Sequence, residues 1–171
     1  MSARPFHSDA SLDERRVVIR RAGSGVEMVE LPWGLQPREA GGQPYTVIRA
    51  EGRTFPSHRC LVPASEFRHR SQGKRYSFSL VNGDWFYFAG IWRPAALEWP
   101  EAYAILTVDA NDDIAPYHDR QMAVLRRDQR MAWLDLTHPE GELLRPLPAG
   151  SFKVSQPRDA PTQSVLALLK S

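Results

Sequence analysis

His118 is the residue best set to do chemistry: the run Ile114-Ala115-Pro116-Tyr117 leads into the charged trio His118-Asp119-Arg120, after the loop Asp109-Ala110-Asn111-Asp112-Asp113. A loop imidazole titrates near neutral pH and can act as a general acid or base, with a guanidinium beside it to hold an anion. A solvated loop histidine has the same local pattern. The other histidines, His7, His58, His69 and His138, show no i, i+4 pairing, so no two imidazoles share a helical face and no metal or other cofactor is expected. The one cysteine, Cys60, excludes an intrachain disulfide and a thiolate zinc cluster and fits a reducing compartment. It lies in the apolar run Arg59-Cys60-Leu61-Val62-Pro63, where a buried structural thiol is expected. The alternative, an enzyme using Cys60 with His118, requires Cys60 to be exposed. No GxSxG, P-loop or HExxH pattern occurs, and Gly23-Ser24-Gly25 reads as a plain turn.

A second chemistry is contact with a polyanion. Arginines gather as Arg15-Arg16 with Arg20-Arg21, then Arg49, Arg53 and Arg59, then Arg68 and Arg70 with Lys74-Arg75, and Trp33, Tyr45, Trp85 and Trp92 are interleaved. Phosphate contacts beside stacking rings would use these types. A mixed-charge surface over core aromatics is the competing reading, and a net charge of +2 decides nothing.

The elements that must position these residues are mostly strands. A chain of 171 residues, 42% hydrophobic, has the size of one domain, here taken as 1–171. Its 14 prolines and 11 glycines are scattered, which favours frequent turns. Val17 to Arg21 and Val26 to Leu31 flank Ala22-Gly23-Ser24-Gly25 as a hairpin. Further β-rich runs span Pro44 to Arg49, His58 to Val62, Tyr76 to Leu80, Trp85 to Trp92 and Tyr103 to Val108. Asn82-Gly83 is the strongest hairpin signal, predicting that the strands on either side of it pair. One helix is predicted from Asp128, with Met131, Ala132, Leu134 and Leu136 as its apolar face and an end near Thr137-His138-Pro139. Ser164 to Lys170 is a candidate terminal turn. The pattern predicts an α+β fold, mainly antiparallel sheet in meander order, barrel-like, with few short helices. Met1 to Leu12 lacks the pattern of a signal peptide and no run is long enough to span a membrane, so the expectation is a soluble, cytoplasmic protein.

Five segments together carry a family resemblance. Trp33-Gly34-Leu35-Gln36-Pro37 resembles the WGxxP element of SOS response-associated peptidase (SRAP) proteins, and Arg49-Ala50-Glu51 resembles the RxE of their NARxET segment. Arg59-Cys60-Leu61-Val62-Pro63-Ala64 is similar to their RCLIPA strand, and Phe88-Ala89-Gly90-Ile91-Trp92 to FAGIW. Thr107, Ala110-Asn111 and His118-Asp119-Arg120 follow the T-x-x-A-N and H-[DN]-R segments in order and spacing. The resemblance implies an α+β fold with a positively charged groove for single-stranded DNA. It also implies a covalent link from an N-terminal cysteine to an abasic site, with an Asn, a Glu and the motif His moving protons. Arg49 and Arg120 would contact phosphate, Trp33 and Thr107 would line the groove, and His118 would keep an acid/base role.

Three of those four reactive positions differ. Residue two is Ser2, Val47 aligns with the Asn, and His69 aligns with the Glu, Glu66 falling three residues early; only His118 matches. The expectation is therefore a monomeric binder of single-stranded or abasic DNA, without metal or membrane, that lacks the standard crosslink. Two other readings remain: a protein-interaction or structural module that has kept the fold, or a true start lying upstream with a cysteine. The second would not restore the Asn or the Glu.

Overall fold

The computed structural model describes residues 4–7, 14–135 and 139–156. Ser2, His138, the expected helix end at Thr137-His138 and the turn over Ser164 to Lys170 lie outside them.

Among the described residues eleven strands form one branched, mainly antiparallel sheet that does not close on itself, so the α+β expectation holds and "barrel-like" applies loosely. Its spine is β5, Arg59–Ser71, flanked by β1 (Arg4–His7), β2 (Arg15–Ala22), β6 (Lys74–Leu80) and β7 (Phe86–Arg93). The opening half of β5 lies between β2 and β7, Cys60 opposing Arg20 and Gly90. Its closing half lies between β1, which runs parallel, and β6. β3 (Gly25–Pro32) pairs only with β2 in the hairpin expected around Gly23. On the far side of β7 come β8 (Ala102–Asp109) and then β4 (Val47–Arg49), parallel to β8. β9 (Arg120–Met122) pairs with β8, β10 (Val124–Leu125) with β7, and β11 (Phe152–Ser155) with β6.

The predicted hairpin at Asn82-Gly83 is corrected. The tight turn forms, with Gly83 at φ 77° and the Asp84 N–H donating to Asn82 Oδ1 at 2.8 Å. The strands it joins do not pair, because β5 lies between β6 and β7. The hairpin is instead β5–β6, closed by Gln72 and Gly73 at φ 51° and 77°, the left-handed pair that a two-residue turn of matching twist requires. The order is therefore no meander.

Side chains alternate across a strand, so Leu61 and Cys60, or Tyr87 and Phe88, face opposite ways. Both directions are buried. One core gathers Phe6, Trp33, Phe67, Phe78, Phe88 and Tyr103; the other gathers Leu61, Tyr87, Leu106, Phe55 and Trp133. Burial on both faces explains why β7 and β8 read as unbroken apolar runs. The second face is covered by a 3₁₀ turn, Arg127–Gln129, and two short helices, α1 (Arg130–Leu134) and α2 (Glu140–Leu143). The predicted helix is thus shorter, and its inward residues are Trp133 and Leu134, whereas Met131 is exposed. Arg59 locks this layer: its guanidinium donates to Phe55 O, Trp133 O and Glu140, and lies 4.2 Å from the Trp133 ring. Among the described residues no helix is long and apolar enough to cross a membrane.

Candidate functional site

His118 is delivered by a short loop whose shape is set from within. Asn111 is buried; its Oδ1 accepts the N–H groups of Asp113 and Ile114, and its Nδ2 donates to Leu147 O. Burial alone would raise the Asp113 carboxyl, but the backbone N–H groups of Gly150 and Phe152 lower it, so the loop is tied to the start of β11 by a carboxylate. The chain then turns, His118 N–H donating to Ile114 O, and rejoins the sheet through Ala110 N–H to Asp119 O. His118 Nδ1 sits 2.9 Å from Arg120 O and 3.0 Å from Arg120 N, so whichever tautomer it takes, that nitrogen is occupied.

Three strands then set a row of residues side by side. Register places Arg49 of β4 beside Thr107 of β8, and Thr107 beside Met122 of β9. Two positions along, Arg120 opposes Asp109 and turns its fork across the row. Its guanidinium pairs with both oxygens of Glu51, at 2.7 and 2.8 Å, with Asp109 at 2.9 Å, and with Thr107 O and Oγ1 at 2.9 and 3.0 Å. Those hydrogen bonds from Arg120 hold the Glu51 carboxyl below its ordinary value.

The third contributor is the closing half of β5. His69 is only 8% exposed, wedged against Phe67 and Phe78, and its ring stacks on that of His118 with centroids 5.0 Å apart and planes 20° from parallel. Burial, and then the neighbouring His118, push its pKa down to about 4, so it stays neutral at physiological pH. His69 Nε2 is buried and has no hydrogen-bond partner among the described residues. Residues from β4, β5, β8, β9 and the His118 loop thus enclose one open pocket of about 460 Å³, floored by Trp33 and Val47. A larger groove of about 670 Å³ shares Val47 and Arg49 with it and carries Arg38, Arg53 and Arg93, with no acidic residue in its lining.

A comparison with family models matches residues 7–158 to the SOS response associated peptidase (SRAP) family. The chain belongs to that family. Membership places it among SOS-associated proteins. Solved structures with the same fold include a protein from Bordetella bronchiseptica, at TM-score 0.68 and 23% identity over 92% of each chain. One from Bacteroides thetaiotaomicron has TM-score 0.66 and 20% identity, over 86% of this chain and 75% of that one. A phage-related protein from Bordetella bronchiseptica has TM-score 0.66 and 22% identity, over 86% of this chain and 79% of that one. No curated protein matches the sequence.

All five residues singled out from the sequence, Trp33, Arg49, Thr107, His118 and Arg120, border the smaller pocket of this SRAP chain. Val47 and His69, which stand where the family pattern has Asn and Glu, border it too. Glu66 does not: it faces the other way on β5, holding Arg68 and the Ser77 hydroxyl. Trp33 is buried, its indole N–H donating to Thr46 O and its ring edge-on to Phe6, so it supports the floor and offers no open face. The arginine groups dissolve. Arg16 and Arg59 are buried on backbone carbonyls and Arg20 bridges Glu27 and Glu101, while Arg49 and Arg53 stay exposed with no carboxylate partner among the described residues. Trp92 lies under Arg20 and Trp85 under Arg127, so these rings are packing surfaces. Cys60 is fully buried, and burial pushes its thiol far above the ordinary range, which removes the reading in which it acts with His118. Among the described residues no group of His, Cys, Asp or Glu could hold a metal ion.

Proposed function

We propose that this SRAP-family chain binds single-stranded DNA, including strands with an abasic site, along the arginine-lined groove, without forming the durable thiol crosslink its family resemblance implies. The observation that carries this is the continuity of two cavities: a groove that carries four arginines, with no carboxylate among the described residues of its lining, runs into the pocket that holds His118. Guanidinium groups beside such an open channel suit a phosphate backbone, which releases counterions on binding. His118 offers the acid/base group, and Arg49 the phosphate contact nearest to it. Arg120 supports the reading less directly, since the two terminal nitrogens of its fork are already engaged by Glu51, Asp109 and Thr107. The chemistry of the crosslink is limited by sulfur: the only thiol in the sequence is Cys60, and it lies in the core.

Binding of a labelled single strand, measured over a salt series, tests this. If all four arginines engage phosphate, log Kd changes with log salt by a slope of about 3, from about 0.7 per neutralised phosphate. Arg49→Glu weakens binding and flattens that slope. An absence of binding at low salt, or indifference to Arg49→Glu, favours a protein-interaction module instead. Incubation with an abasic oligonucleotide yields no complex that survives heat and detergent.

A further inference from the structure

The histidine stack lies outside what sequence reasoning assigned to this pocket. His69 is neutral and backed by Phe67 and Phe78, so the pair forms an aromatic platform whose inner layer carries no charge. A ring has two faces, and one face of His118 lies on His69; with 42% of its side chain exposed, the outer face is open. Around it the lining is apolar where the family pattern has an amide: Val47 is 41% exposed and Met122 completes the wall. The rest of the lining is polar, with Arg49, Thr107, Asp119, Arg120 and Gln121 around the ring. A flat ligand with apolar faces and hydrogen-bonding groups on its rim matches an open ring face bordered by polar side chains. Unstacked bases of single strands bind in this way, on aromatic side chains including histidine, with their edges hydrogen-bonded.

We propose that this pocket receives an intact nucleobase, stacked on the outer face of His118 with its rim toward the polar side chains of the lining, in preference to the bare sugar of an abasic site. The inference rests on the single-strand reading above and names which part of the strand enters. Arg49, exposed at the mouth shared by the two cavities, takes the flanking phosphate. A bare sugar has no flat face to lay on the His118 ring and forgoes that contact.

The test compares a short thymidine oligomer with a tetrahydrofuran oligomer of the same length, which has the same phosphates and no bases. The intact protein binds the thymidine oligomer more tightly by about 5- to 140-fold, the range that one stacked base provides. His118→Ala brings the ratio of the two affinities close to one. His118→Phe, which keeps a ring and removes the proton chemistry, retains the preference and shows that the site has not collapsed. Equal affinity for the two oligomers, or a preference that persists in His118→Ala or is lost in His118→Phe, overturns the base pocket and leaves the DNA reading standing. Binding to neither oligomer overturns both.

Discussion

Replacing Arg120 by alanine separates a structural fork from a DNA contact. The fork makes five hydrogen bonds, but their losses are unequal. Glu51 and Asp109 have side chains 49% and 77% exposed, so on losing Arg120 they return to water, and each ion pair contributes only about 0–1 kcal/mol. Thr107 is 8% exposed; its carbonyl keeps the Ala50 N–H at 3.0 Å, whereas its hydroxyl loses a charged donor. An unpaired buried polar group costs about 1–3 kcal/mol, so Arg120→Ala is expected to destabilise by about 2 kcal/mol. Urea unfolding reads this as a lowered midpoint at constant slope. Arg49→Glu, on the surface, stays within about 0.5 kcal/mol of the parent while losing DNA affinity. The penalty also depends on pH. Glu51 titrates lower in the fold than its usual 4.5, so its share is complete above that value and disappears as the pH falls through the lowered one. An Arg120→Ala midpoint equal to the parent's would refute the structural assignment and return Arg120 to the phosphate-binding set.

Gly90→Ala should lower stability by about 1–3 kcal/mol, because its Cβ would stand 2.9 Å from Ala104 O and 3.0 Å from Cys60 Sγ, between two strands that cannot separate; thermal melting reads the loss. Cys60 should resist a thiol reagent in the folded protein and react at once in denaturant, and fast labelling of the native state would contradict its burial. His69 titrates at about 4 in the fold and near 6.5 when unfolded, so the unfolded chain binds the extra proton between those values. Stability is then full above about pH 6.5 and falls by up to about 3 kcal/mol toward pH 4, a slope that His69→Phe removes.

The strands were legible because β-branched and aromatic runs were punctuated by Gly, Pro, Asn and Asp, a local signal that needs no tertiary context. Pairing was not. Asn82-Gly83 specifies a tight turn, and the turn is there; whether its flanks pair depends on which strand can bury both faces between them. That strand is β5, whose later half carries Glu66, Arg68, His69 and Arg70 and therefore does not read as core. Its alternation is nonetheless visible in retrospect: Phe67 and His69 point inward, Arg68 and Arg70 the other way. The β5–β6 turn escaped notice because Gln72 gives no sign that it will take a left-handed conformation.

The arginines show why residue type alone does not mark a site. Arg49 and Arg59 lie ten residues apart, yet one is exposed in the groove and the other is sealed under Trp133 by helices that arrive some seventy residues later. His118 was visible locally, since an Asn, a turn and a charged trio precede and follow it; His69 was visible only through alignment to the family pattern. The bonds that frame them give a physical reason why a pocket can keep its shape whatever stands at these positions. The loop that presents His118 is held by Asn111 and Asp113, and the row of β4, β8 and β9 is held by the Arg120 fork; neither depends on the side chains at 47 and 69. Valine and histidine at those two positions set the lining of the cavity without being part of its frame. The residues that hold the frame and the residues that face the ligand are thus different ones, and a shared fold does not by itself carry an activity.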